Sequence, residues 1–173
     1  GVDGTARDVT PLSLDTSPRY YLPECTSSTL AGSAMFAAAS VVYKGIASQA
    51  TYGADLLTRA EAAWTRAKAT TFSFNTFQTQ CDDLDIRAGD ADVDAGGQLD
   101  SALLAAIALY EATGKAEYRT FVEANYTRGQ PYRSSAWWWS PYSSTNQVAL
   151  LRYAGLAGVS ATVARRRSPG CTV

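Results

Sequence analysis

Gly114 stands between two runs of helical periodicity, and this break restricts the fold more than any other feature of the chain. Before it, Leu103, Ala106, Ile107 and Tyr110 recur at three- and four-residue steps, drawing one apolar stripe on a helix from about Asp100 to Thr113. After it, Tyr118, Phe121 and Val122 mark a second helix over Lys115 to Tyr126. A glycine at such a junction adopts the left-handed conformation that ends a helix without a Cβ penalty. Two amphipathic helices joined this tightly fold back on one another, so the chain contains a hairpin of helices.

Both flanks repeat the idea. Cys25 to Thr29 supplies several N-cap candidates for a helix from about Thr29 to Tyr43, ending near Gly45. Its residues are small (Ala31, Gly32, Ser33, Ala34, Ala37, Ala38, Ala39, Ser40), which suits a helix approached closely from several sides. Leu57, Ala60, Trp64 and Ala67 form the stripe of another helix, from about Tyr52 to Ala69, with Arg59, Glu61, Arg66 and Lys68 off it. A further helix runs from about Thr145 to Ala157, with Val148, Leu151 and Gly155 in register. Residues 70–80 read as a polar link that buries the rings of Phe72, Phe74 and Phe77. The fold class is all-α, built of paired helical hairpins, as in a toroid or solenoid.

The ends differ from this body. Pro11, Pro18 and Pro23 forbid a long helix in residues 1–25, which read as an extended arm pinned at Tyr20 and Tyr21. Residues 26–160 carry the helical pairs, and residues 161–173 form a basic tail, frayed or extended, around Arg165, Arg166 and Arg167. At 173 residues one core is expected. The net charge of −1 gives no electrostatic footprint for nucleic acid, and no apolar run approaches the roughly 20 residues that span a bilayer. The chain has no histidine, so it builds no Ser-His-Asp triad, Cys-His dyad or histidine-ligated zinc site. Cys25, Cys81 and Cys171 are not spaced as metal ligands and suit one disulfide plus a free thiol in a secreted protein, with the pairing open.

Four segments, in order, resemble the catalytic module of glycoside hydrolase family nine, the cellulase-type enzymes. PRYYLPECTSSTLAGSAMFAAASVVY, from Pro18 to Tyr43, is similar to the stretch in which an extended arm leads into an alanine-rich inner helix. Tyr52 to Ala69, with Ala63 and Trp64, resembles the next helix. Ala95 to Phe121 resembles the helix pair around a Tyr-x-Ala-Thr-Gly-x-x-x-Tyr turn, here Tyr110, Ala112, Thr113, Gly114 and Tyr118. Trp139 followed by TNQVALLRYA resembles a tryptophan that precedes another ring helix. The resemblance covers Pro18 to Ala157 and implies part of an (α/α)6 toroid, acting on β-glucan with inversion. It also implies that the family's paired aspartates precede Gly1 and its acid glutamate follows Val173, so that no residue here inherits a catalytic role and the chain alone is silent. The uncovered helix faces of a partial ring then suit self-association or the remainder of a larger enzyme.

Two clusters are the candidate sites. Trp137, Trp138, Trp139, Tyr132 and Tyr142 are the densest aromatic group; flat rings stack on the apolar faces of sugars, and the competing reading is that they pack beneath their own loop. Asp90, Asp92 and Asp94 alternate like the first, third and fifth ligands of an EF-hand, a pattern compatible with calcium, but Ala95 and Ser101 stand where that loop needs Gly and Glu. The competing reading is a solvated loop whose last aspartate caps the following helix. Asp82 and Asp83, or Asp92 and Asp94, also offer paired carboxylates for general acid and base work. The rival functions are a non-catalytic carbohydrate-binding module and a helical-repeat assembly domain.

Overall fold

The computed structural model describes residues 25–68, 93–133 and 145–165. Among them the chain is all-α, with no strand. The first helix, α1, spans Thr26–Lys44 and starts three residues before the expected Thr29. The cap is Cys25, in extended backbone and without a side-chain cap bond, while Thr26 and Ser27 enter the first turn and are buried. The Ser27 hydroxyl pairs with the Cys25 sulfur at 3.0 Å.

A 3-10 turn at Ala47–Gln49 leads into α2, Ala50–Lys68, which folds back along α1. The seam is made of small side chains. Ala37 and Ala60 are fully buried, and the Ser33 hydroxyl donates 2.8 Å to the Ala60 carbonyl across the pair. At the hairpin end Gly53 meets Lys44 so closely that a Cβ would lie 2.7 Å from the Lys44 nitrogen. Ala60, Trp64 and Ala67 are buried as their spacing predicts, with Leu57 half-buried against the core.

Helix α3 spans Ala95–Thr113, five residues longer than expected, because Asp94 caps it from outside and Gly96 and Gly97 belong to its first turn. Leu99, Leu103, Ala106, Ile107 and Tyr110 are buried, and so are Ala102, Ala105 and Leu109. Burial on so many sides marks α3 as the central helix. Gly114 ends it in the left-handed region at φ 67°, its N–H returning to the Tyr110 carbonyl at 2.7 Å. Helix α4, Ala116–Asn125, follows, and a 3-10 turn at Tyr126–Arg128 closes it.

The next helix, α5, spans Thr145–Tyr153 and stops short of the expected Ala157. Leu156 bonds back three residues to Tyr153, and Gly158 takes φ 80°, so the chain tightens and turns. The buried face is also different from the expected one: Ala149 and Tyr153 are in the core, whereas Val148 and Leu151 are 52% and 44% exposed. Tyr153 outweighs the smaller side chains because its ring packs against Tyr110 at 5.7 Å. Residues 161–165, expected as the start of an extended tail, form a short helix, α6, and its Val163 docks on the core.

Side-chain ties fix the directions of these helices. Asn146, early in α5, donates to the Asp100 carbonyl near the start of α3, and Arg152 near the end of α5 bonds Glu111 near the end of α3. The two helices therefore run parallel. Glu61 of α2 bonds Lys115 just beyond the end of α3, which ties the first hairpin to the second. The α1–α2 and α3–α4 pairs, with α5 parallel to α3, make part of a ring of α-hairpins.

Candidate functional site

The N-terminal half of α3 gathers polar residues from the turn at residues 129–133 and from the start of α5. Asp94 accepts the Gly97 N–H at 2.7 Å through one carboxylate oxygen, which satisfies a donor that the helix itself leaves free. Two turns of chain further on, Asp100 is the convergence point. Its Oδ1 accepts the Gln130 N–H at 2.8 Å and its Oδ2 accepts the Arg133 guanidinium at 2.8 Å. Its backbone carbonyl takes the Asn146 side-chain amide at 3.3 Å.

The approach that allows this depends on two glycines. A Cβ on Gly129 would stand 2.4 Å from Leu103 Cδ1 and 2.9 Å from Asp100 Oδ1, so only hydrogen fits there. A Cβ on Gly96 would fall on the Arg133 guanidinium, which rests over the first turn of α3 between Asp100 and, at 4.0 Å, Asp94. Burial pushes the Asp100 carboxyl above the ordinary carboxylate value, against the downward pull of the Gln130 N–H and of Arg133. Its side chain is only 19% exposed, against 35% for Arg133.

Tyr132 lies in this turn, half-buried, with its ring edge-to-face on Tyr126 at 5.4 Å. Trp137, Trp138, Trp139 and Tyr142 lie outside the described residues, as do Asp90 and Asp92. Of the expected calcium group only Asp94 is seen, as a helix cap with a side chain 83% exposed. Among the described residues no three His, Cys, Asp or Glu side chains gather as a metal site.

Four of the other described carboxylates have structural partners. Asp55 pairs with Arg59, Glu61 with Lys115 and Tyr118, Glu111 with Arg152, and Glu123 with the Ser160 N–H. The Lys115 ammonium holds Glu61 below the usual carboxylate range, while burial raises the Tyr118 and Tyr153 hydroxyls well above theirs. Sequence reasoning missed Asp100 as the centre of the cluster. Its signal was faint, since an aspartate at a supposed helix start reads as a cap, and its partners lie 30 and 33 positions away.

No helix among the described residues is long and apolar enough to cross a membrane. Neither a search of curated proteins nor one of solved structures returns a match. The family model "Glycosyl hydrolase family 9", in contrast, matches residues 5–168. That match runs through every described helix, and paired helices are what a segment of an α/α ring requires. The chain belongs to glycosyl hydrolase family 9.

Proposed function

We propose that the chain forms the polysaccharide-binding part of a cellulase-type module that hydrolyses β-1,4-glucan with inversion, and that residues 1–173 alone do not catalyse the reaction. The observation that carries this reading is the family match over residues 5–168. Inversion needs one carboxylic acid and one carboxylate about 6.5–9.5 Å apart with water between them. Asp55, Glu61, Asp94, Asp100, Glu111 and Glu123 are each committed to a cap, an ion pair or a backbone N–H. Substrate contact is assigned to Trp137, Trp138, Trp139, Tyr142 and Tyr132, whose rings suit the apolar faces of glucose.

A second reading is that the chain is a non-catalytic carbohydrate-binding module. A secreted location accords with both, because Cys25 is disulfide-bonded and such bonds persist in oxidising compartments. Retention of the purified chain on insoluble cellulose and release of reducing ends from carboxymethyl-cellulose are to be measured side by side. Retention without release is expected. Release by the chain alone would overturn the assignment of the catalytic groups, and absence of retention would overturn the binding role.

A further inference from the structure

We infer that Asn125 is an N-glycosylation site, the acceptor of the triplet Asn125-Tyr126-Thr127 at the end of α4. The inference goes beyond the binding role and rests only on the secreted location proposed above. Of the asparagines Asn75, Asn125 and Asn146, Asn125 alone is followed two positions later by a hydroxyl residue, and the residue between is not proline. Such spacing becomes a site when the triplet lies at the surface of a protein that has met an oxidising compartment. The disulfide at Cys25 meets the second condition.

The local structure meets the first. Helix α4 ends at Asn125, and the 3-10 turn at Tyr126–Arg128 closes it. Tyr126 is the anchor of that turn, 6% exposed, with its ring edge-to-face on Tyr132. Ala124, Thr127 and Arg128 around it are exposed and Asn125 is half-buried, so the turn is pinned by its middle residue while the acceptor lies at its edge. Two partners fix the orientation of the Asn125 amide: its Nδ2 donates to the Phe121 carbonyl at 2.8 Å, and its Oδ1 accepts the Arg128 guanidinium at 3.0 Å. An amide nitrogen carries two hydrogens, and one of them makes the bond to Phe121. The other is the one a sugar replaces. The folded chain therefore keeps both bonds while it carries the glycan.

Transfer takes place on the nascent chain, before α4 closes, so the folded bonds decide only whether the sugar is tolerated. The donor class is an oligosaccharide carried on a polyprenyl diphosphate. The bond from its anomeric carbon to the diphosphate oxygen breaks, a bond from that carbon to Nδ2 forms, the amide releases one proton and the polyprenyl diphosphate leaves. Thr127 supplies the hydroxyl by which the transferase recognises the acceptor. A bulky, hydrated sugar at this place keeps the end of α4 in water, so a partner chain seats elsewhere.

The full chain is directed through a eukaryotic secretory pathway by a fused leader and treated with peptide N-glycosidase. One downward step in apparent mass is expected, with Asn125 converted to aspartate in the peptide spectrum. Thr127→Ser is expected to keep the step, whereas Asn125→Gln and Thr127→Ala lose it. Cell-associated and released chains are both read, so a variant that folds poorly still reports. Absence of the step in the parent, or its persistence in Asn125→Gln, would overturn the inference. So would a glycosylated chain whose far-ultraviolet helix signal falls below that of Thr127→Ala, because the fold would then have no room for the sugar. Cys25 is probed separately with a maleimide before reduction. Labelling of Cys25 would overturn the secreted reading, while the glycosidase result still decides the site.

Discussion

Two carboxylates in this chain respond to acid in opposite senses. Glu61 is held below the ordinary value of 4.5, first by its bond to Lys115 and also by Tyr118. A depressed folded value means that Glu61 stabilises the fold above the unfolded value and that this contribution is lost as pH falls through the lower, folded one. Asp100 is raised by burial, so the folded state binds its proton more readily, and its contribution shrinks as pH rises through the folded value. Glu61→Gln is expected to cost about 1 kcal/mol at pH 7, and the deficit should close at a pH acid enough to protonate the parent glutamate as well. Urea midpoints at the two pH values measure it; an equal deficit at both would contradict the assignment. Glu61 also shows where sequence reading stops at this scale. Its helical position placed it off the apolar stripe, yet Lys115 and Tyr118 reach it from 54 and 57 residues away.

At the scale of the element, helix ends follow local rules and helix faces do not. Gly114 was legible because a left-handed closing residue is a requirement of a few consecutive residues. The face of α5 was not, because Tyr110, on another helix, selects Tyr153 and leaves Val148 and Leu151 outside. The start of α3 was misplaced for a related reason: Gly96 and Gly97 look like a turn until Arg133 is seen lying over the first of them. Gly129 is the most confined of these junction residues. Its φ of −98° suits any amino acid, so what excludes a side chain is the proximity of Leu103 and Asp100. Gly129→Ala is therefore expected to destabilise by about 1–3 kcal/mol through overpacking, measured by chemical denaturation. A change within about 0.5 kcal/mol would mean that α3 and the turn part easily.

Across the whole molecule, one aromatic junction joins the two hairpins. Trp64 of α2 stands edge-to-face to Tyr118 and Phe121 of α4, at 5.6 and 5.1 Å. Trp64→Ala removes this junction from a position 3% exposed and is expected to cost about 3–5 kcal/mol. Unfolding followed by circular dichroism checks it, and a cost below about 1 kcal/mol would show that the hairpins cohere without it. The arc of paired helices was visible in the sequence because helical period and glycine breaks are local, whereas the node at Asp100 was assembled by the fold from three separated stretches.

The alanine-lined seam between α1 and α2 has a consequence for how such a chain can drift in descent. Ala34, Ala37 and Ala60 are buried, and Ser33 spends its hydroxyl on the opposing backbone, so those positions admit almost nothing larger than what they hold. On the other side of α1, Met35 and Val42 are 62% and 64% exposed and are under no such restraint. Distant descendants would keep α1 as a rhythm of small residues while its bulky ones change freely. The helix is inherited as an absence of volume, and its lineage is better traced by where side chains stay small than by any motif.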